Sequence, residues 1–167
     1  MGKEIIIVTI SLGNDGAERI LTELARQWHH DGHKITVIQT SPNRYGTEYA
    51  LPEGIEQIQI HTTSSNKIIR FLQEIKALIG ILKERPNATC LSFLSASSFI
   101  LAISSWFVKN RMVFSERNNP RKVPVGKHQQ MLRDFAFRFA DAIVFQTEDA
   151  KSYFSKSIQS RGHIIPN

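Results

Sequence analysis

The run Glu4–Ile10 constrains this chain most: after one glutamate it is an unbroken string of Ile, Val and Thr. Side chains branched at Cβ fit a pleated backbone, and a run with no polar face belongs in the middle of a parallel sheet. A parallel neighbour can be reached only through a crossover, usually a helix. The next segment supplies one. Asp15–Asp31 carries Ala17, Ile20, Leu21, Leu24, Ala25 and Trp28 at helical spacing. Gly32 suits the left-handed C-cap that would end it, and Lys34–Gln39 reads as a second strand.

The alternation continues. Ser41–Gly54 holds two prolines, two glycines and an asparagine and reads as loop. Ile55–Ile60 reads as a strand near an edge. Asn66–Glu84 is a long helix with Asn66 as N-cap and Pro86 just beyond its end. Ala88–Leu94 is a fourth strand, Ser95–Lys109 a mostly buried helix, and Arg111–Ser115 a fifth strand. Glu116–His128 is a loop rich in Asn, Pro and basic residues. Gln129–Ala140 is helical, Ala142–Gln146 is a sixth strand, and Thr147 caps a helix of about ten residues that begins at Glu148. Arg161–Gly162 turn the chain into a seventh short strand, His163–Ile165. Right-handed crossovers make the expected fold α/β: a Rossmann-like, doubly wound parallel sheet of about seven strands.

The 167 residues suit one domain. A single cysteine, Cys90, excludes a disulfide framework and a multi-cysteine zinc site, and suits a reducing, cytoplasmic setting. No leader peptide is evident, and no stretch approaches the ~20 apolar residues of a membrane span. The chain ends at Pro166-Asn167, immediately after the last strand. That suggests a piece of a longer protein.

Charge is unevenly placed. Residues 109–138 hold eight Lys and Arg against two acidic residues, whereas residues 86–108 hold no charge. This basic stretch suits phosphate, nucleic acid or a membrane surface, and equally a solvated basic face. Arg121, Lys122 and Lys127 are its candidates for contact with a membrane or an anionic acceptor. The stripe Ile68, Ile69, Leu72, Ile75, Ala77, Leu78, Ile79 and Leu82 reads as core, with a membrane-facing amphipathic helix as the alternative.

In sheets of this type ligands bind beyond the C-terminal ends of the strands. Gly13, Asn14, Asp15 and Gly16 lie there, between the first strand and its helix. Glycines let backbone approach a ligand, and helix N-terminal amides favour phosphate; a plain glycine turn is the competing reading. The loop lacks the dinucleotide pattern Gly-x-Gly-x-x-Gly, and Gln39-Thr40 offers no carboxylate for a ribose. No P-loop and no Gly-x-Ser-x-Gly elbow is present. Glu116, Arg117, Asn118 and Asn119 leave the fifth strand with paired donors and acceptors that suit sugar hydroxyls and phosphate. An ion pair with a capping turn explains the same residues. The six histidines form no metal-ligand set.

Gly16-Ala17-Glu18-Arg19, with the helix running on to Gly32-His33-Lys34-Ile35-Thr36-Val37, resembles the opening of family-4 glycosyltransferases. So do Ser115-Glu116-Arg117-Asn118-Asn119-Pro120 and the stretch from Ala140-Asp141-Ala142 through Gln146-Thr147 to Pro166-Asn167. The resemblance implies the N-terminal, acceptor-side domain of a two-domain GT-B enzyme that transfers sugar with retention and without a metal or other cofactor. It implies a nucleotide-sugar donor, UDP by family habit, whose diphosphate the 13–16 loop approaches. It implies a glycan or lipid-linked acceptor of surface polysaccharide assembly, at the inner face of the membrane. The donor-binding domain, with its pair of glutamates, would lie outside residues 1–167, leaving this part inactive alone and with no nucleic-acid partner. Two positions depart from the family pattern: Asp15 replaces a glycine, and Arg117 stands where many members carry histidine. The rival reading is a stand-alone nucleotide- or nucleic-acid-binding module.

Overall fold

The computed structural model describes residues 2–13, 16–41, 50–93, 95–122 and 126–166. Its strands are β1 (Glu4–Thr9), β2 (Lys34–Gln39), β3 (Glu56–Gln59), β4 (Thr89–Ser92), β5 (Arg111–Glu116), β6 (Ala142–Phe145) and β7 (Gly162–Ile164). Its helices are α1 (Gly16–His30), α2 (Lys67–Lys83), α3 (Ser95–Ser104), α4 (Lys127–Phe137), α5 (Glu148–Ser152) and α6 (Lys156–Gln159). The strands form one seven-stranded sheet in the order β3-β2-β1-β4-β5-β6-β7, with every pairing parallel. This is the expected Rossmann-like arrangement, with β3 at an edge.

The β1 run is central because it pairs on both sides: Ile5 lies opposite Ile35 of β2 and opposite Thr89 of β4. Ile6, Ile7 and Val8 are fully buried. Alternate residues of β1 enter two separate cores. Ile6 and Val8 join Leu78, Leu101, Phe114 and Phe137 in the larger core, whereas Ile7 joins Leu12, Leu21, Ala25 and Phe93 in the smaller core beneath α1.

The sequence signals operate locally as expected. The Asn66 side chain accepts from the Ile68 and Ile69 amides at the start of α2, and Thr147 accepts from Ala150. Gly32 has φ +83°, where a Cβ would be strained. Asp141 accepts from the Met112 amide at 2.7 Å and so pins the start of β6 to β5.

Strand ends differ from expectation by one or two residues, and three helices differ by more. The helix from Ser95 becomes a 3-10 turn at Ser105–Phe107, where Ser104 and Ser105 donate back to the carbonyls of Ile100 and Ala102. Such bonds compete with the helical ladder. Helix α4 begins at Lys127, two residues before the predicted start. The single helix predicted after Thr147 is broken in two, because Phe154 turns inward to stack on Phe137 and Phe145 and Ser155 adopts an extended backbone. The α2 stripe also divides. Ile75, Leu78 and Leu82 enter the core, while Ile68, Ile69 and Leu72 are exposed.

Candidate functional site at the sheet switch point

Chain progression reverses between β1 and β4, so the crevice of the fold opens beyond their C-terminal ends. Gly13 stands on the β1 side. A Cβ built on it would lie 3.0 Å from Oε2 of Glu18. Glu18 is buried in the first turn of α1, and its Oε1 accepts from Ser11 Oγ at 3.2 Å. A side chain at 13 would therefore press on the end of the Glu18 side chain, which would have to give by a few tenths of an ångström. Gly16 begins α1 with open space where its Cβ would be. Asn14 and Asp15 lie outside the described residues.

On the β4 side, Phe93 leads toward the N-terminus of α3, and it shares the smaller core with Leu12 of the glycine loop. Ser92 Oγ lies 3.1 Å from Ser97 Oγ and 2.6 Å from Ser98 Oγ, a buried hydroxyl cluster at the end of β4. Two helix N-termini, those of α1 and α3, thus flank the switch point. A helix N-terminus favours an anion through its dipole.

Glu116, expected to open the loop, is the last residue of β5 and pairs with Phe145; with Arg117, Asn118 and Asn119 it does not act as one group. The guanidinium of Arg117 lies over the Phe93 ring, 5.5 Å from its centroid, which draws its charge toward the switch point. Arg117 is half-buried, and loss of water lowers its pKa; a guanidinium remains charged all the same. Glu116 is buried, and burial raises its pKa despite an amide hydrogen bond from Asn118 and the nearby Arg133. Asn118 is exposed. Asn119 turns the other way and donates to Asp149 at 2.6 Å.

Arg121 follows Asn119. Its Nε is 3.3 Å from Asp149, its guanidinium donates to Ser152, and it lies over the Tyr153 ring. Together they latch the β5–α4 loop to α5. Lys122 and Lys127 are exposed. Sequence reasoning missed Phe93 and Arg133, and it placed Glu18 and Asp149 in candidate loops, the latter in Gln146-Thr147-Glu148-Asp149 with helix capping as the stronger explanation, without giving either a site role. The roles of Phe93, Arg133 and Asp149 rest on contacts distant in sequence.

The profile of glycosyltransferase family 4 matches residues 14–167. No sequence among curated proteins matches the chain. Similar solved structures include HepE from Anabaena in complex with UDP, with TM-score 0.72, 13% identity, and coverage of 99% of this chain and 44% of that one. The lipopolysaccharide outer core galactosyltransferase WaaB has TM-score 0.73 and 12% identity, over 99% of this chain and 45% of that one. Sucrose-phosphate synthase from Thermosynechococcus elongatus has TM-score 0.76 and 7% identity, over 98% and 48%. The chain thus spans less than half the length of each of these proteins. At such identities the structural likeness speaks to the fold, a Rossmann-like unit of GT-B type. With the profile covering nearly every residue, the chain belongs to glycosyltransferase family 4.

Proposed function

We propose that this chain is the acceptor-side, N-terminal domain of a retaining glycosyltransferase that uses a UDP-sugar. A second domain outside residues 1–167 would hold most of the donor and the paired glutamates, and this domain alone would be inactive. The observation that carries the reading is the crevice between β1 and β4. Gly13 brings backbone close at one wall, the N-termini of α1 and α3 flank it, and Arg117 is drawn toward it by Phe93.

In this reading the helix N-termini and Arg117 counter the negative charge that builds on the leaving diphosphate, the role a metal serves in other transferases. The transfer is therefore metal-independent. Glu116 sets the start of the loop from below, and Asn118 offers an amide to an acceptor hydroxyl. The acceptor is a glycan or a lipid-linked saccharide of surface polysaccharide assembly, met at the inner face of the membrane. The presence of UDP in HepE supports the choice of nucleotide.

The test is to incubate the full-length protein with UDP-hexoses and follow release of UDP, with and without a chelator. UDP release that depends on acceptor and resists the chelator is expected. UDP release only on addition of a divalent metal would remove the charge-stabilising role of Arg117 and the helix N-termini.

A further inference from the structure

Strands β5 and β6 are parallel neighbours, with Glu116 opposite Phe145, so the segments that leave them emerge side by side at the same end of the sheet. The segment after β5 carries Arg117 and Asn118, and the segment after β6 leads through Thr147 into α5. One carboxylate joins the two. Asp149 Oδ2 accepts from the Asn119 side chain at 2.6 Å, and its Oδ1 lies 3.3 Å from Arg121 Nε. The Arg121 guanidinium also donates to Ser152 Oγ at 3.1 Å, and Ser152 Oγ donates back to the Asp149 carbonyl at 2.8 Å. The Tyr153 ring, with its centroid 5.7 Å from the guanidinium, closes the arrangement.

The internal shape of this loop and its place against the fold are held by different groups. Within the loop, Asn119 Oδ1 accepts from the Arg121 amide at 3.0 Å, and the Asn119 carbonyl accepts from the Lys122 amide at 3.0 Å. Glu116 accepts from the Asn118 amide at 3.1 Å. These bonds shape the turn, and each runs between residues close in sequence. Asp149 instead ties the turn to another element. It stands on a fixed post, because Thr147 caps α5, Ala150 is buried and Phe154 enters the core. Arg117 and Asn118 lie between Glu116 on one side and the tied Asn119 on the other. A cation–ring contact is weak at a partly exposed site, so the seat of Arg117 over Phe93 depends also on where the backbone beneath it is held.

We infer that Asp149 is a positioning residue of the crevice: by holding Asn119 and Arg121 it sets where Arg117 and Asn118 stand. Asp149 and Arg121 are each about half exposed, so their ion pair alone is weak. The strength of the tie comes from one carboxylate that takes both loop side chains, the hydrogen bond to a charged acceptor being the stronger. The competing explanation is that an acid in the first turn of α5 serves only the helix. Glu148 separates the two. It shares that turn and is exposed, so it serves the helix dipole as well as Asp149 does, whereas the loop side chains meet Asp149. The inference rests on the proposed sugar transfer for its consequence, because Arg117 and Asn118 are the groups assigned there to the diphosphate and the acceptor.

The experiment uses the full-length protein. Arginine labelling by phenylglyoxal, read residue by residue by mass spectrometry, reports the seat of Arg117 without any sugar substrate. Arg26, exposed on α1, is the internal reference. In Asp149→Ala, Arg117 should label about tenfold faster relative to Arg26, the scale of losing one hydrogen bond to a charged group. Glu148→Gln should leave that ratio unchanged. In acceptor-dependent release of UDP from UDP-hexoses, Asp149→Ala should lower kcat/KM by about tenfold, with Asp149→Asn, which keeps one acceptor oxygen, in between. The losses from Asp149→Ala and Arg117→Ala should be less than additive, because the first acts through the second. Unchanged labelling of Arg117 in Asp149→Ala, an equal effect of Glu148→Gln, or strictly additive kinetic losses overturns the inference. Should Asp149→Ala fail to fold by circular dichroism, Asn119→Ser removes the amide that meets Asp149, keeps an acceptor for the Arg121 amide and is read in the same way. Absence of UDP release from the unaltered protein would overturn the proposed sugar transfer alone, and the labelling would still decide the role of Asp149.

Discussion

Arg133 of α4 reaches beneath the end of β5 and places its guanidinium 3.5 Å from the carboxylate of Glu116, with both side chains buried. The Phe154 ring lies 4.7 Å from the same guanidinium, and Tyr153 packs at 5.5 Å. One cation therefore joins α4, the β5 terminus and the segment between α5 and α6. Removing one partner of such a pair leaves a buried charge without its counterion, whereas removing both charges together does not. Arg133→Ala should destabilise the fold by about 3–5 kcal/mol, and Arg133→Met combined with Glu116→Gln by clearly less. Urea denaturation of the single and double variants measures the coupling, and strictly additive losses would show that the pair does not act as a unit.

The same pair sets a pH dependence. Burial raises the Glu116 pKa above its ordinary value of 4.5. The folded state thus holds this proton more tightly than the unfolded state does. The contribution of Glu116 to stability is full below 4.5 and is lost as pH rises through the raised folded value. Glu116→Gln does not titrate. The stability of the wild type relative to this variant should therefore fall as pH rises across the weakly acidic range, and a gap that widens instead would contradict the burial effect.

Among its contacts Arg117 places its guanidinium over the Phe93 ring, a cation–ring interaction worth about 0.5–1 kcal/mol at a partly exposed site. Arg117→Ala in the full-length protein should lower kcat/KM for transfer by about a hundredfold, the scale of losing one charge-stabilising donor, and should lower transfer by more than the loss of stability accounts for. Unchanged turnover would return Arg117 to a purely structural role.

Gly13→Ala brings a methyl group to 3.0 Å from the Glu18 carboxylate. The Glu18 carboxylate must give by a few tenths of an ångström, and in the proposed reading UDP affinity should fall by about tenfold, a loss of ~1.4 kcal/mol. Gly80→Ala is the control, because nothing lies within 4 Å of its added Cβ. In the interior of α2 it should stabilise the fold by about 0.5–1 kcal/mol. Calorimetric titration with UDP and thermal melts separate the two effects.

Cys90 is fully buried in β4, and burial pushes its thiol up to about 12. The thiolate is the reactive form. The native protein should resist an aromatic disulfide reagent at neutral pH and react with one equivalent once unfolded in guanidinium, as read by absorbance. Rapid labelling of the native protein would place Cys90 in a segment that opens readily.

The elements were legible because their signals are local. β-Branched runs, helical spacing, Asn66, Thr147 and Gly32 each act within a few residues of themselves, and the parallel sheet follows from the crossovers they define. The glycine loop and the loop after β5 were legible as positions for the same reason. Their internal arrangement was not. The meeting of Arg133 with Glu116, the capture of Asn119 and Arg121 by Asp149, and the seat of Arg117 over Phe93 join residues with no periodic relation. The break at Ser155 likewise depends on where Phe154 finds the core. By itself the sequence determined the order and kind of elements, because backbone propensity and amphipathic spacing are short-range. Tertiary structure alone decided which charges pair, which apolar residues of α2 remain in water and which side chains face the crevice, because those depend on packing between distant segments.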